Sequence, residues 1–557
     1  ADIGFTREDI VINPGEYLEL KVRIHRQAWT KYVQSNDFSL NPESKTYEEW
    51  KKIAVFIDDR WAYGSIPLSY TQIIDPDPNE EEDTQYPVES KESYGSSTDK
   101  AGNSTGYTYD DNGNITSVVD AMGNTTTNTY NKRGQITSTT DALGNTTKYD
   151  YDSKGNLTSV TDALGNTTKY TYNSKGYLTK ETRADGSTET RTYDSKGNIE
   201  TITDGEGNTV TYDYGVLNQV TNYTDANGGI TKYAYSLNGN VTKITDALGN
   251  EAKTSYNKDG QVLTETDKNG GITSYAYDKT TGYLSQTTNA LAGKESYHYD
   301  KMGNLSKVTA PDGGIITYTY DVFGRVESET DALGGKITYT YDKNGNTLQE
   351  KDELGNVTTY TYDKLDRVIT QTDAAKNTIT YEYDALGRTV KETDAQGGET
   401  KYTYDKLGNV VGTTDANGQV TKDTYNKVGL LESTTDAEGN KISYEYDAEG
   451  RRTKETDAEG NATTWKYDKN GNITKTTDAN GHSTSYTYDK ENQVTSIKDA
   501  EGNMIQYEYD ASGNTTSETD ALGYKTSYTY DALGNQTSIT NALGKVSKNE
   551  YNSSSLL

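Results

Sequence analysis

A tyrosine returns every 21 residues through four fifths of this chain. It stands at 109, 130, 151, 172, 193, 214, 235, 256 and 277, and after one extra residue at 299, 320 and onward to 551. The 22 phased tyrosines span 21 intervals with a single insertion, in the stretch DKTTGY. A fixed period of this length is the mark of a repeat architecture, in which each unit buries its surface on its neighbours.

One unit, YDSKGNLTSVTDALGNTTKYT from Tyr151 to Thr171, holds two turn signals, DSKGN and DALGN. In each, Asp accepts backbone hydrogen bonds at the first turn position and Gly supplies the positive φ that follows a type I turn. Two strand candidates, LTSVT and TTKYTY, separate the turns. Each unit is therefore expected to be two strands and two turns, and successive units an antiparallel meander. The fold class is all-β.

In seventeen of the 22 units a second aromatic lies two residues before the phased Tyr. Residues two apart on a strand share a face. Stacked units should align two aromatic columns on one side, with Thr, Lys, Ser and Glu opposite. The ladder is read at Tyr109, Tyr151, Tyr172, Tyr320, Tyr341, Tyr362, Tyr404, Tyr446, Tyr488 and Tyr530. A flat strip would expose that whole face, which soluble proteins avoid. Strand twist offers the remedy: the strip coils and turns its aromatic face inward, into a hollow or solid spiral, or is completed by neighbouring chains.

Composition supports order rather than disorder. Hydrophobic residues make up only 31% of 557, with four Phe and three Met, but Tyr numbers 49. Disordered chains are poor in aromatic and β-branched residues. With 55 Lys+Arg against 85 Asp+Glu, the net charge is −30, which repels phosphate backbones and excludes nucleic acid as a partner. There is no Cys, so no thiol chemistry. No apolar run is long enough to span a membrane. The Asp residues of the turns recur in every unit, as capping requires and a catalytic pair does not. The expectation is a protein that is not an enzyme.

The first residues differ in kind. Three of four Trp and three of four Phe lie before position 62. The chain divides into a segment at 1–68, an acidic Pro-bearing linker at 69–106, the array at 107–552 and a tail at 553–557. The opening reads as the middle of a domain, so the chain is expected to be a processed or partial product.

The unit Y-D-x-x-G-N-x-x-x-x-T-D-A-x-G-N-x-T-x-Y-x resembles the YD repeat of Rhs-type proteins. That resemblance implies a spiralling β-sheet enclosing a space, on bacterial surfaces or in secreted toxin systems. The autoprocessing signature that follows the repeats in toxin-bearing members does not appear here.

The stretch INPGEYLELKVRIHRQAWTKYVQSNDFSL, followed by YEEWKKIAVFIDDRWAYGS, resembles the C-terminal half of a family 3 carbohydrate-binding module. That resemblance implies part of a β-sandwich. Arg23 and Trp29 match its carbohydrate-binding strip, and Asn36 and Asp37 match ligands of a structural Ca2+. Oxygen donors of this kind suit a hard cation.

Together these readings lead to a secreted or cell-surface bacterial scaffold or filament subunit. Its N-terminal segment would join subunits or attach to cellulose or another polysaccharide. The chief partner expected is the chain itself, end to end. The alternatives are a carbohydrate-binding surface adhesin and an Rhs-type casing of a toxin.

Overall fold

The computed structural model describes residues 93–556 and, ahead of them, two short antiparallel pairs. These are β1 (Asp2–Ile3) with β2 (Ile24–His25), and β3 (Val55–Ile57) with β4 (Arg60–Tyr63). From β5 (Ser93–Thr98) to β48 (Val546–Lys548) every described element is a strand, and each pairs antiparallel with the next. The two strand candidates of each unit both form. In the unit quoted above they are β11 (Leu157–Thr161) and β12 (Thr167–Tyr172).

Six-residue strands ending on the phased Tyr alternate with five-residue strands. The array starts ahead of position 107, because DKAGN at 99–103 makes the same turn as DALGN and ties β5 to β6 (Ser104–Tyr109). At the other end, residues 552–556 form one more loop of the series, with the Asn552 N–H donating to the Leu556 carbonyl.

All loops on one edge of the strip follow a phased Tyr, as 152–156 does; these are the Tyr-side loops. All on the other edge are return loops such as 162–166. Each unit carries a bulge at the same place, just before the phased Tyr, as between Asp150 and Tyr151. A bulge bends its strand and increases the local twist. Repeated in one position, the bends add, and the strip curls.

The curl brings the sheet round on itself, but no strand ladder joins β5 to β48. Loops make the closure instead. Return loops of the first circuit meet Tyr-side loops lying 241–245 residues further on, as in Ala101 with Asn344, Asn227 with Asp468 and Asn470, and Ala247 with Glu491. Divided by the 21-residue unit, that offset is about eleven and a half units, or 23 strands per circuit. The 44 strands from β5 to β48 make nearly two circuits. At ~4.8 Å per strand the circumference is on the order of 110 Å, giving roughly 35 Å across at the backbone.

The expected dry aromatic side is only half met. Among the described residues, Val308 is the one buried hydrophobic side chain. All 22 phased tyrosines are half-buried. A single coiled layer has no second layer to press against, so its stabilisation falls on the ladder and on side chains lying flat along the sheet.

Candidate functional surfaces: the tyrosine ladder and the seam

The phased tyrosine ends its strand at the Tyr-side edge and lies across the preceding hairpin. Its hydroxyl donates to the backbone carbonyl fifteen residues earlier. Tyr151 reaches Ile136, Tyr172 Leu157, Tyr362 Thr347 and Tyr488 Ile473, at 2.7–2.9 Å. The same bond holds Tyr320, Tyr341, Tyr404, Tyr446 and Tyr530 to Leu305, Val326, Thr389, Leu431 and Thr515. Tyr109 instead lays its hydroxyl and ring against Gly95 of β5. Tyr299, beyond the insertion, instead packs its ring on Tyr283 at 4.8 Å. Burial, then the neighbouring Tyr170 and Asp152, push the Tyr172 hydroxyl above its ordinary value. Tyr275, an aromatic from the second column, is pushed up to about 12, first by its hydrogen bond to Glu265.

Loop residues cover the ladder. Where the fifth position of a Tyr-side loop is Arg, its guanidinium sits over the next phased ring. Arg325 lies over Tyr341, Arg367 over Tyr383, Arg388 over Tyr404 and Arg451 over Tyr467, at 4.4–4.8 Å. The same Arg pairs with the first Asp of its own loop, as Arg367 does with Asp363 at 2.6 Å.

The loop carboxylates are spent on the loops. Asp152 Oδ1 accepts the N–H groups of Lys154 and Asn156, and Oδ2 accepts the Asn156 amide, at 2.8–2.9 Å. Gly155 closes the turn with φ of 94°. These bonds, the Asn156 side chain first, hold Asp152 below the ordinary carboxylate value. The return loop at Asp162 repeats the set. A carboxylate so engaged has little capacity left for a proton or a cation. Among the described residues no group of His, Cys, Asp or Glu is arranged to hold a metal ion.

The seam is the feature that sequence reading missed. Its partners come from the third position of second-circuit Tyr-side loops. Glu449 Oε1 accepts the Gly205 N–H at 2.7 Å, and Asn470 Oδ1 accepts the Asn227 N–H at 3.1 Å. Glu491 accepts the Ala247 N–H at 2.8 Å and pairs with Lys268 at 3.1 Å. Lys268 also reaches Asp246 at 2.6 Å, whose side chain is 4% exposed. Burial alone would raise Asp246, but bonds from Lys268 and Asn250 hold it below its ordinary value. At the loops beginning at 363, 384 and 405 the third position is instead Leu365, Leu386 or Leu407, which offers no such acceptor. Only the pitch of the coil reveals which loops face each other.

Arg23, Trp29, Asn36 and Asp37 lie outside the described residues.

Comparison with known proteins agrees with this geometry. The Teneurin YD-shell family matches residues 189–337 and 334–465. The RHS Repeat family matches 96–125, 130–160, 151–188, 467–504 and 509–546, and the Cellulose binding domain family matches 1–64. Residues at the N-terminus are 36% identical over 66 positions to Exoglucanase-2 of Thermoclostridium stercorarium, covering 12% of this chain and 7% of that protein. They are 33% identical over 67 positions to the anti-sigma-I factor RsgI4 of Acetivibrio thermocellus, covering 12% and 13%. Among solved structures, TcdB2-TccC3 aligns with a TM-score of 0.61 at 15% identity, over 79% of this chain and 32% of that one. The Photorhabdus luminescens Tc holotoxin pore aligns with a TM-score of 0.51 at 14% identity, over 81% and 30%. The chain thus spans about a third of the length of the structures it matches, and the likeness is one of fold.

Proposed function

The chain belongs to the YD-repeat (RHS) proteins and carries a cellulose-binding-domain segment at its N-terminus, and from that premise we propose that it is a non-catalytic extracellular scaffold. Its working part is the coiled shell, and its N-terminal segment attaches that shell to polysaccharide. The observation that carries the reading is the seam. A structural hoop needs its turns fastened, and here the loop residues that vary from unit to unit are used for fastening, while the invariant ones hold the unit together.

Two experiments test the parts separately. The chain has no cysteine, so paired substitutions Asn227→Cys and Asn470→Cys can be bridged unambiguously with a short bismaleimide. Rapid intramolecular cross-linking, with a shift in gel mobility, is expected. A pair that never cross-links removes the coil, and the shell with it. For attachment, the chain should be retained on insoluble cellulose, and Trp29→Ala should release it. Chelation with EDTA should weaken retention if Asn36 and Asp37 hold the structural Ca2+ that the module's resemblance implies. Equal retention of the parent and Trp29→Ala chains would remove the role assigned to this segment.

A second reading, the casing of a toxin or effector, is favoured by the fold likeness to TcdB2-TccC3. A casing needs a passenger inside the shell, whereas the scaffold does not. Co-purification of a protease-protected polypeptide with the coil would favour the casing.

A further inference from the structure

We infer that the two rims of the coil are the two halves of a head-to-tail contact, and that the partner is a second copy of this chain. The inference rests on the shell reading above and adds the partner and the contact residues.

Within one molecule, first-circuit return loops dock on second-circuit Tyr-side loops. Among the described residues the complementary rows at the two ends meet no facing row of loops: second-circuit return loops, 331–335 to 541–545, on one rim, and first-circuit Tyr-side loops, 110–114 to 321–325, on the other, apart from Lys100 over the Phe323 ring at 5.2 Å. Each row holds eleven loops, the number paired along the seam, so a second copy offers one rim what the first copy lacks.

Exposure at one loop position measures what docking does. At the third position of return loops inside the seam, Leu143, Leu164 and Leu248 are 47–49% exposed. At the same position on the rim, Leu333, Leu354, Leu522 and Leu543 are 80–96% exposed. The opposite rim presents Val322 and Phe323, at 82% and 68%, and Met302 at 51%.

Charge favours one pair of facing loops, 131–135 with exposed Arg133 against 352–356 with exposed Glu353. Exposed Arg133, Lys154, Lys175 and Lys196 lie along the Tyr-side rim. Lys154 and Lys175 reach the carbonyls of Ser174 and Ser195 in the next loops, at 3.2 and 3.3 Å. Exposed Glu353, Glu438, Glu459 and Glu501 lie on the return-loop rim.

Strand order fixes the phase. β5 is of the kind that precedes a return loop, and β48 is of the kind that follows one. A copy laid against β48 therefore continues the alternation. Carrying the seam relation across that joint sets loop 541–545 on 321–325 of the next copy, and 520–524 on 300–304. Leu543 then meets Phe323 and Leu522 meets Met302. A contact of this handed, non-closing kind propagates into filaments. Eleven loop pairs reach the ~1,200–2,000 Å² of a stable interface when each buries about 110–180 Å².

Sedimentation velocity of the intact chain over a wide concentration range, with negative-stain microscopy, tests this. The expectation is mass rising in whole multiples, and rods one coil in diameter. Met302→Glu with Phe323→Glu on one rim, or Leu522→Glu with Leu543→Glu on the other, should each raise the concentration for assembly at least tenfold. An equimolar mixture of the two variants should form dimers but no rods, since each retains one sound rim. A monomer at every concentration, or assembly indifferent to both substitutions, overturns the inference. The 227–470 cross-link separates the two failures: present in a monomer, it leaves the shell standing and removes only the stacking.

Discussion

At the scale of the residue, the phased tyrosine does with one hydroxyl what a packed core does elsewhere. Its bond to a carbonyl fifteen residues back satisfies its own polar atom and ties each unit to the one before. Tyr362→Phe keeps the ring and removes the bond to Thr347. It should lower stability by about 1 kcal/mol, read as faster amide exchange in the strands Val357–Tyr362 and Thr347–Lys351. The fourth loop position is a second residue-scale control. Gly normally occupies it with positive φ, but Lys376 stands there with φ of 70°. Left-handed backbone costs a side-chain-bearing residue roughly 1–2 kcal/mol, so Lys376→Gly should raise the thermal midpoint. A midpoint unchanged or lowered would show that the Lys376 side chain makes a compensating contact.

At the scale of the element, the strands and both turn types were legible in the sequence because each depends on contacts within about one period. Tyr151, Asp152, Gly155 and Leu157 define a hairpin that needs nothing further away. The Glu449, Asn470 and Glu491 contacts were not legible. Their partners stand 243–244 residues off, and nothing local distinguishes them from other polar loop residues. Boundaries failed for a related reason: DKAGN at 99–103 lacks the usual spelling but makes the same turn. Glu491→Ala would leave the Ala247 N–H without its acceptor and Lys268 with Asp246 alone. A loss of ~1–3 kcal/mol at that point of the seam is expected. Faster hydrogen exchange should appear in both loops, 246–250 and 489–493, while the strands between them stay protected. Exchange rising in the first loop only would mean that the two are not docked.

At the scale of the whole molecule, many small ionisation effects share a sign and add. Tyrosines such as Tyr172 are raised from 10.0. Their stabilisation is complete below that value and is lost as pH climbs through the raised one. Loop aspartates such as Asp152 are lowered from 3.8. Theirs is complete above that value and is lost as pH falls through the lowered one. Far-UV circular dichroism should therefore stay constant between about pH 4 and 10 and collapse on both sides. The acid transition should involve the loops and the alkaline one the ladder. An alkaline transition that survives replacement of several phased tyrosines by Phe would contradict this assignment.

The pitch of eleven and a half units also bears on how such a gene can change. Unequal recombination between 63-base repeats adds or deletes whole units, and the ladder would accept either without a misplaced hydrogen bond. The fastening between circuits would not. Losing one unit anywhere between Ala247 and Glu491 would carry that carboxylate one loop away from Lys268, and would displace in the same way every clasp whose two halves flank the deletion. Copy number is thus held by the closure of the hoop, and a family of such genes should vary in length more freely beyond the overlapping circuits than within them.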